Sequence, residues 1–228
     1  MSVRLAVFAS GGGSNLQALL DRFAGTSHVT PALVVSDRAD AGALRRATVA
    51  GVKALHIPVA GRPEHMVGDD MLSALRDCDI ELIALAGYLR LVPPRVVEPY
   101  RGRILNIHPA LLPAFGGAGM YGRRVHEAVI AAGCRITGAT VHYVDERYDE
   151  GSIIAQWPVP VLREDTAETL AARVLRIEHR LYPAVVDMLA RRIADGPAAD
   201  DTTTRLEVFR LGAADAGMAD EMITLARI

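Results

Sequence analysis

The sequence predicts an open, mostly parallel, twisted α/β sheet with helices on both faces, ending in a hairpin and one long helix. Three observations carry this. Apolar runs of four to six residues at 3–8, 32–35, 53–57 and 80–85 alternate with segments of helical period at 41–50 and 64–76, as buried parallel strands and their crossover helices do. A glycine-rich turn joins the first strand to the first helix. Two further strand-like segments, 135–144 and 153–157, flank an acidic turn and precede a helical pattern that runs to about residue 192.

With 228 residues the chain suffices for one domain with a substantial core. Hydrophobic residues make up 50% of it, yet no uninterrupted apolar run is long enough to span a bilayer. Residues 3–8 already read as a strand, so no targeting leader is expected, and neither is a membrane partner. The net charge of −2 and the lack of a Lys/Arg block argue against nucleic acid as a partner. Cys78 and Cys134 stand in unrelated contexts without metal or redox spacing. A reducing, cytoplasmic location and no metal are therefore expected.

Taking the elements in order, the strand at 3–8 runs into Ser10-Gly11-Gly12-Gly13-Ser14-Asn15, and a helical pattern starts at Leu16 with Leu19 and Leu20. Glycines let a ligand approach the backbone, and unpaired helix N–H groups attract an anion. The Walker pattern is absent, and Leu16 stands where a dinucleotide fingerprint needs its third glycine. Asp37, at the end of the second strand, is suited to a ribose. A single phosphate ranks first, a dinucleotide second and an empty turn third. After the strand at 80–85, the segment Ala86-Gly87-Tyr88-Leu89-Arg90-Leu91-Val92 is unusually apolar for a loop at a strand's carboxyl end. It reads either as a wall for a flat ligand or as packing against a helix near 94–100. His28, His56 and His65 read as incidental.

The strand Leu105-Asn106-Ile107-His108 ends at Pro109, which cannot donate to a ladder. Asn106 and His108 share a face and Ile107 points away. An amide and an imidazole are thereby set at the carboxyl edge of a sheet, where ligands bind, and both can donate to an oxyanion. Four glycines within 115–122 suggest a lid. A helix over 123–132 should carry Val125, Val129 and Ile130 inward, with His126 and Glu127 on its wet side. Thr140, His142 and Val144 share a face of the next strand. Asp145, Glu146, Asp149 and Glu150 in the acidic turn cannot be ranked by composition. Asp165-Thr166-Ala167-Glu168 fits a capping box for the long helix. Its stripe is Leu170, Val174, Ile177, Leu181, Val185 and Met188 or Leu189. Glu178 borders that stripe, either to hold ligand hydroxyls or to pair with Arg173 or Arg176. Residues 196–204 read as a polar linker and 206–209 as an edge strand.

From residue 3 to about 189 these pieces resemble the folate-dependent formyltransferases. The motifs are Ser10 to Gln17, Ser36-Asp37-Arg38-Ala39-Asp40-Ala41, Leu85 to Arg90, Leu105 to Pro109, Leu111-Leu112-Pro113, Thr140-Val141-His142, Tyr148-Asp149-Glu150-Gly151, and Arg173 through Glu178-His179 to Tyr182-Pro183. The resemblance implies a Rossmann-like formyltransferase domain over 1–195, with a nucleotide-phosphate half (about 1–100) and a folate and catalytic half (about 101–195), followed by an extension over 196–228. It also implies formyl transfer from 10-formyltetrahydrofolate, as cosubstrate, to the amine of glycinamide ribonucleotide. The family's catalytic Asn, His and Asp fall on Asn106, His108 and Asp149. Its phosphate and ribose contacts fall on Gly12, Gly13, Ser14, Asn15 and Glu178. Its folate wall falls on Tyr88, Leu89, Arg90, Leu91, Val92, Asn106, Val144, Asp145 and Asp149.

The amine is itself the nucleophile, so no serine or cysteine nucleophile is needed, and an ionised Asp149 should favour an imidazolium at His108. The segment 116–122 departs from the family's lid pattern, so no lid contact carries over. Relatives acting on methionyl-tRNA or amino sugars usually append a C-terminal module, and the formyl-folate hydrolase carries an extra N-terminal domain. Neither is expected here. The rival readings are that hydrolase and a noncatalytic nucleotide-binding protein. A homodimer stays open.

Overall fold

The computed structural model describes residues 2–25 and 28–196. In it, β1 (Val3–Phe8), β2 (Val29–Ser36), β3 (Lys53–His56), β4 (Leu82–Leu85) and β5 (Ile104–His108) are parallel, and β6 (Ile136–Tyr143) and β7 (Ile153–Pro160) complete one sheet antiparallel. The order is β3-β2-β1-β4-β5-β6-β7. Strand order reverses beside β1, and ligands bind at the carboxyl ends of such sheets near that point. β2 starts before its expected 32–35 span because the ladder shifts register after Leu5–Pro31, which absorbs the missing proline N–H.

Helices cover both faces. α1 (Ser14–Phe23), α2 (Gly42–Val49), α5 (Arg123–Ala131) and α6 (Ala167–Asp195) lie on one side, where Leu16, Leu19, Val129, Val174 and Leu181 join one core. α3 (Glu64–Asp77) and the single turn α4 (Pro94–Val97) lie on the other, with Met71, Leu75, Val96 and Ile83. From α6 the buried Tyr182 sets its hydroxyl 3.0 Å from the Leu85 carbonyl oxygen and 3.1 Å from that of Leu105. This pins the long helix across β4 and β5, just behind the site.

Two expectations need correction. The box that opens α6 is one residue later than expected. Thr166 is the N-cap and exchanges bonds with Thr169, while Asp165 is drawn off by Arg173 at 2.6 and 2.8 Å. A bidentate charged pair outcompetes a capping bond. On α5, Val125 and Val129 are buried as expected and Glu127 is exposed, but His126 is buried at 4% exposure. It sits in the first turn, on a face that the helical period alone would leave wet. The linker beyond residue 196 and the strand expected at 206–209 lie outside the described residues.

Candidate active site

The turn after β1 is built around Gly13. Its φ of 77° is left-handed, and a Cβ there would stand 2.9 Å from the Ala43 Cα, so only glycine fits without displacing α2. α1 then begins with no side-chain cap, leaving its first-turn amides for an anion. Arg46 braces the turn through the Gly12 carbonyl at 2.8 Å and Gln17 at 3.0 Å. Beside it Asn15 donates to Glu178 Oε2 at 2.7 Å, and the Asn15 Oδ1 is enclosed without a partner. Burial pushes the Glu178 carboxyl up to about 7, against the pull of the Asn15 bond. Glu178 pairs with neither arginine: Arg173 is taken by Asp165. Asp37 has a side chain only 3% exposed, with Oδ2 bound to Arg90 at 3.0 Å and Oδ1 enclosed without a partner.

At the other end, register places Asn106 opposite His142 on β6. His142 Nδ1 donates to the Tyr143 carbonyl at 2.8 Å, so its Nε2 accepts from Asn106 Nδ2 at 3.1 Å. The other Asn106 amide hydrogen goes to Asp149 Oδ1 at 3.3 Å. His108 Nε2 donates to the Phe115 carbonyl at 2.8 Å, and its Nδ1 faces Asp149 Oδ2 at 3.5 Å. Gly117 N–H donates to that same oxygen at 2.9 Å. Phe115 and Asp149 both hold left-handed backbone, at φ 57° and 56°, a strain that clusters at functional sites. Gly151 lets the loop return, since a Cβ there would collide with the Tyr143 carbonyl.

Burial lowers the His108 pKa, although Asp149 and the Phe115 carbonyl pull it upward. The resting imidazole is therefore biased towards neutral, contrary to the imidazolium expected from Asp149 alone. Burial would raise Asp149, but the neighbouring His142 and His108 imidazoles and the Gly117 N–H hold it below the usual range. The carboxylate is ionised and waits beside a neutral ring.

One cleft of about 650 Å³ joins the two ends. Asn15 and Glu178 line it at one side and Asn106, His108 and Asp149 at the other, with Tyr88, Leu89, Arg90, Leu91, Val92 and Val144 forming an apolar wall. The wall is tied to the first turn, since Leu89 N–H donates to Ser10 Oγ at 2.9 Å. Gly12, Gly13 and Ser14 lie just outside it in the turn, and Asp145 turns away to cap Arg147 N–H at 2.8 Å. Sequence reasoning gave no role to His142 or His126, which also line the cleft. The shared face of 140, 142 and 144 was a signal for the first. His28, read as incidental, joins Asp187 and Arg191 at the opposite end of the strands, away from the cleft.

Comparisons with known proteins add a family to this geometry. The formyl transferase family model matches residues 3–186, and the chain belongs to that family. Among its relatives, the chloroplastic phosphoribosylglycinamide formyltransferase of Vigna unguiculata is 45% identical over 188 residues, covering 82% of this chain and 60% of that protein. The chain thus spans less than two thirds of that relative. The phosphoribosylglycinamide formyltransferase of Bacillus subtilis (strain 168) is 40% identical over 193 residues, covering 82% of this chain and 94% of its own. The crystal structure of glycinamide ribonucleotide transformylase 1 from Symbiobacterium toebii superposes with a TM-score of 0.77 at 42% identity, over 83% of this chain and 88% of that one. Among the described residues no helix is long and apolar enough to cross a membrane.

Proposed function

We propose that this protein transfers the formyl group of 10-formyltetrahydrofolate to the amine of glycinamide ribonucleotide, in de novo purine biosynthesis. The observation that carries the reading is the single cleft running from Asn15 and Glu178 to Asn106, His108 and Asp149. The uncapped start of α1 suits the ribonucleotide phosphate, with Gly12, Gly13, Ser14 and Asn15 around it. The Glu178 carboxyl accepts hydrogens from the ribose hydroxyls. The wall over Tyr88 to Val92, with Val144 and the backbone from Asp145 to Asp149, suits the flat pterin.

The amine nitrogen attacks the formyl carbon, whose oxygen takes up the displaced electron pair. At rest one Asn106 amide hydrogen is held by the neutral His142 ring and the His108 Nε2 proton by the Phe115 carbonyl, while the other Asn106 hydrogen stays on Asp149. A full negative charge is a better acceptor than either neutral partner. The two donors therefore exchange partners as the charge develops, which is stabilisation specific to the transition state. The amine loses a proton towards Asp149 and His108 Nδ1. The folate nitrogen gains one as its bond to the formyl carbon breaks, and the carbonyl re-forms.

Residues 1–195 are taken as one formyltransferase domain in the two halves described above. The cytoplasm is the proposed location, and a homodimer is the assembly to test for. Formyl-folate loss should be followed with and without glycinamide ribonucleotide. Loss that depends on the ribonucleotide is expected. Equal loss without it would make water the acceptor and defeat the substrate assignment, while ribonucleotide binding with no folate chemistry would point to a noncatalytic nucleotide-binding protein.

A further inference from the structure

His126 is the buried polar group that this mechanism does not use. It lines the cleft, yet makes no hydrogen bond among the described residues. Its Nδ1 is enclosed and unpartnered, which leaves Nε2 as the nitrogen on the cleft side. An enclosed lone pair costs less than an enclosed, unsatisfied N–H, so the neutral ring carries its proton on Nε2. The donors of Asn106 and His108 are all engaged by protein acceptors, whereas this one is not. Burial, together with the neighbouring His108, lowers the His126 pKa, so the ring is biased towards neutral.

We propose that His126 is a further substrate-contacting residue, whose Nε2–H donates to a substrate carbonyl oxygen beside His108. This rests on the formyl-transfer reading. The oxygen belongs either to the formyl group or to the glycinamide carbonyl, and kinetics separate the two. A donor to the formyl oxygen strengthens as charge develops, and its loss lowers kcat. A donor to the glycinamide oxygen acts in the ground state, and its loss raises KM for the ribonucleotide alone.

Three variants form the test. His126→Gln keeps a donor near the Nε2 position, His126→Asn keeps one only near Nδ1, and His126→Leu keeps none. Expected are losses of about 10- to 100-fold in kcat/KM for Asn and Leu, with Gln recovering to within about fivefold of the parent. The melting temperature should not fall in His126→Leu, because an enclosed unsatisfied nitrogen is removed. Turnover within twofold of the parent for both Asn and Leu would overturn the proposal. So would equal losses in all three variants accompanied by lower melting temperatures, which mark a packing role. If the parent consumes formyl-folate without ribonucleotide, the same variants are compared on that hydrolysis, where the formyl oxygen still needs its donor. A parent that consumes none overturns the formyl-transfer reading and this one together.

Discussion

At the α1 end of the cleft the helix starts without a side-chain cap, whereas at the β5–β6 end both Asn106 amide hydrogens and the His108 Nε2 proton already have protein acceptors. On the proposed reading the first end meets a ligand charge that exists before the reaction, and backbone amides near solvent can wait for it with water as a placeholder. On the same reading the second serves a charge that exists only in passing. Its donors lie on half-buried or buried side chains, where an unmet hydrogen bond is expensive. They are satisfied internally, and two of the acceptors, the His142 ring nitrogen and the Phe115 carbonyl, are neutral and weak enough to lose to an oxyanion. Binding sites can stay open, while transition-state sites in a partly dry cleft cannot.

The variant expected to break this contrast most sharply is Asp149→Asn. It removes the charge that orders Asn106, His108 and Gly117 N–H, and should cut turnover by roughly 10²-fold or more with little change in ribonucleotide affinity. Steady-state kinetics beside calorimetric titration decides it, and near-normal turnover would mean that the β5–β6 end is not catalytic.

At the opposite end, Gly13→Ala places a methyl 2.9 Å from the Ala43 Cα on left-handed backbone. The turn must shift, and ribonucleotide affinity should fall about tenfold or more while formyl-folate affinity holds. Equal weakening of both ligands would show that the two ends are not separate.

Glu178→Gln sharpens the comparison through pH. The folded-state pKa is raised to about 7 from an ordinary 4.5, so its contribution to stability is intact below 4.5 and lost as pH rises through 7. Glutamine escapes that loss. The variant should melt about 7–14 °C higher at pH 9 and no higher at pH 4, yet bind the ribonucleotide several-fold more weakly because no carboxylate meets the ribose. A melting difference independent of pH would refute the assignment.

The smallest effect on chemistry is expected from Asp165→Asn, which touches neither end. The Arg173 guanidinium holds the Asp165 carboxyl at about 2, below its ordinary 3.8, worth on the order of 2 kcal/mol. In the parent this stability is present above pH 3.8 and lost as pH falls through 2. The variant should show the same deficit at pH 7 in denaturant melts, with unchanged turnover per folded molecule.

Most strands and helices were legible because each is marked locally, by alternation, by a helical stripe or by a proline stop at Pro109. So was the pairing of Asn106 with His108, which needs only the two-residue period of a strand. The acidic turn was not. Asp145, Glu146, Asp149 and Glu150 are alike in composition, and only resemblance separated them. In the folded chain Asp145 caps its own loop while the left-handed backbone at Asp149 turns its carboxylate inwards. His126 was assigned to the wet face because helical period counts only neighbours on the same helix.

By itself, then, the amino-acid sequence determined the layered α/β architecture, the glycine turn at a helix start and the polar strand end. These are properties of short stretches, dictated by backbone sterics and the burial of periodic apolar residues. Only the tertiary structure decided that Asn106 is shared between His142 and Asp149, that Asp37 pairs with Arg90, that His108 rests towards the neutral form, and that His126 faces the cleft. Each of these depends on partners distant in the chain and on the burial they impose together, and desolvation is a property of the assembled fold.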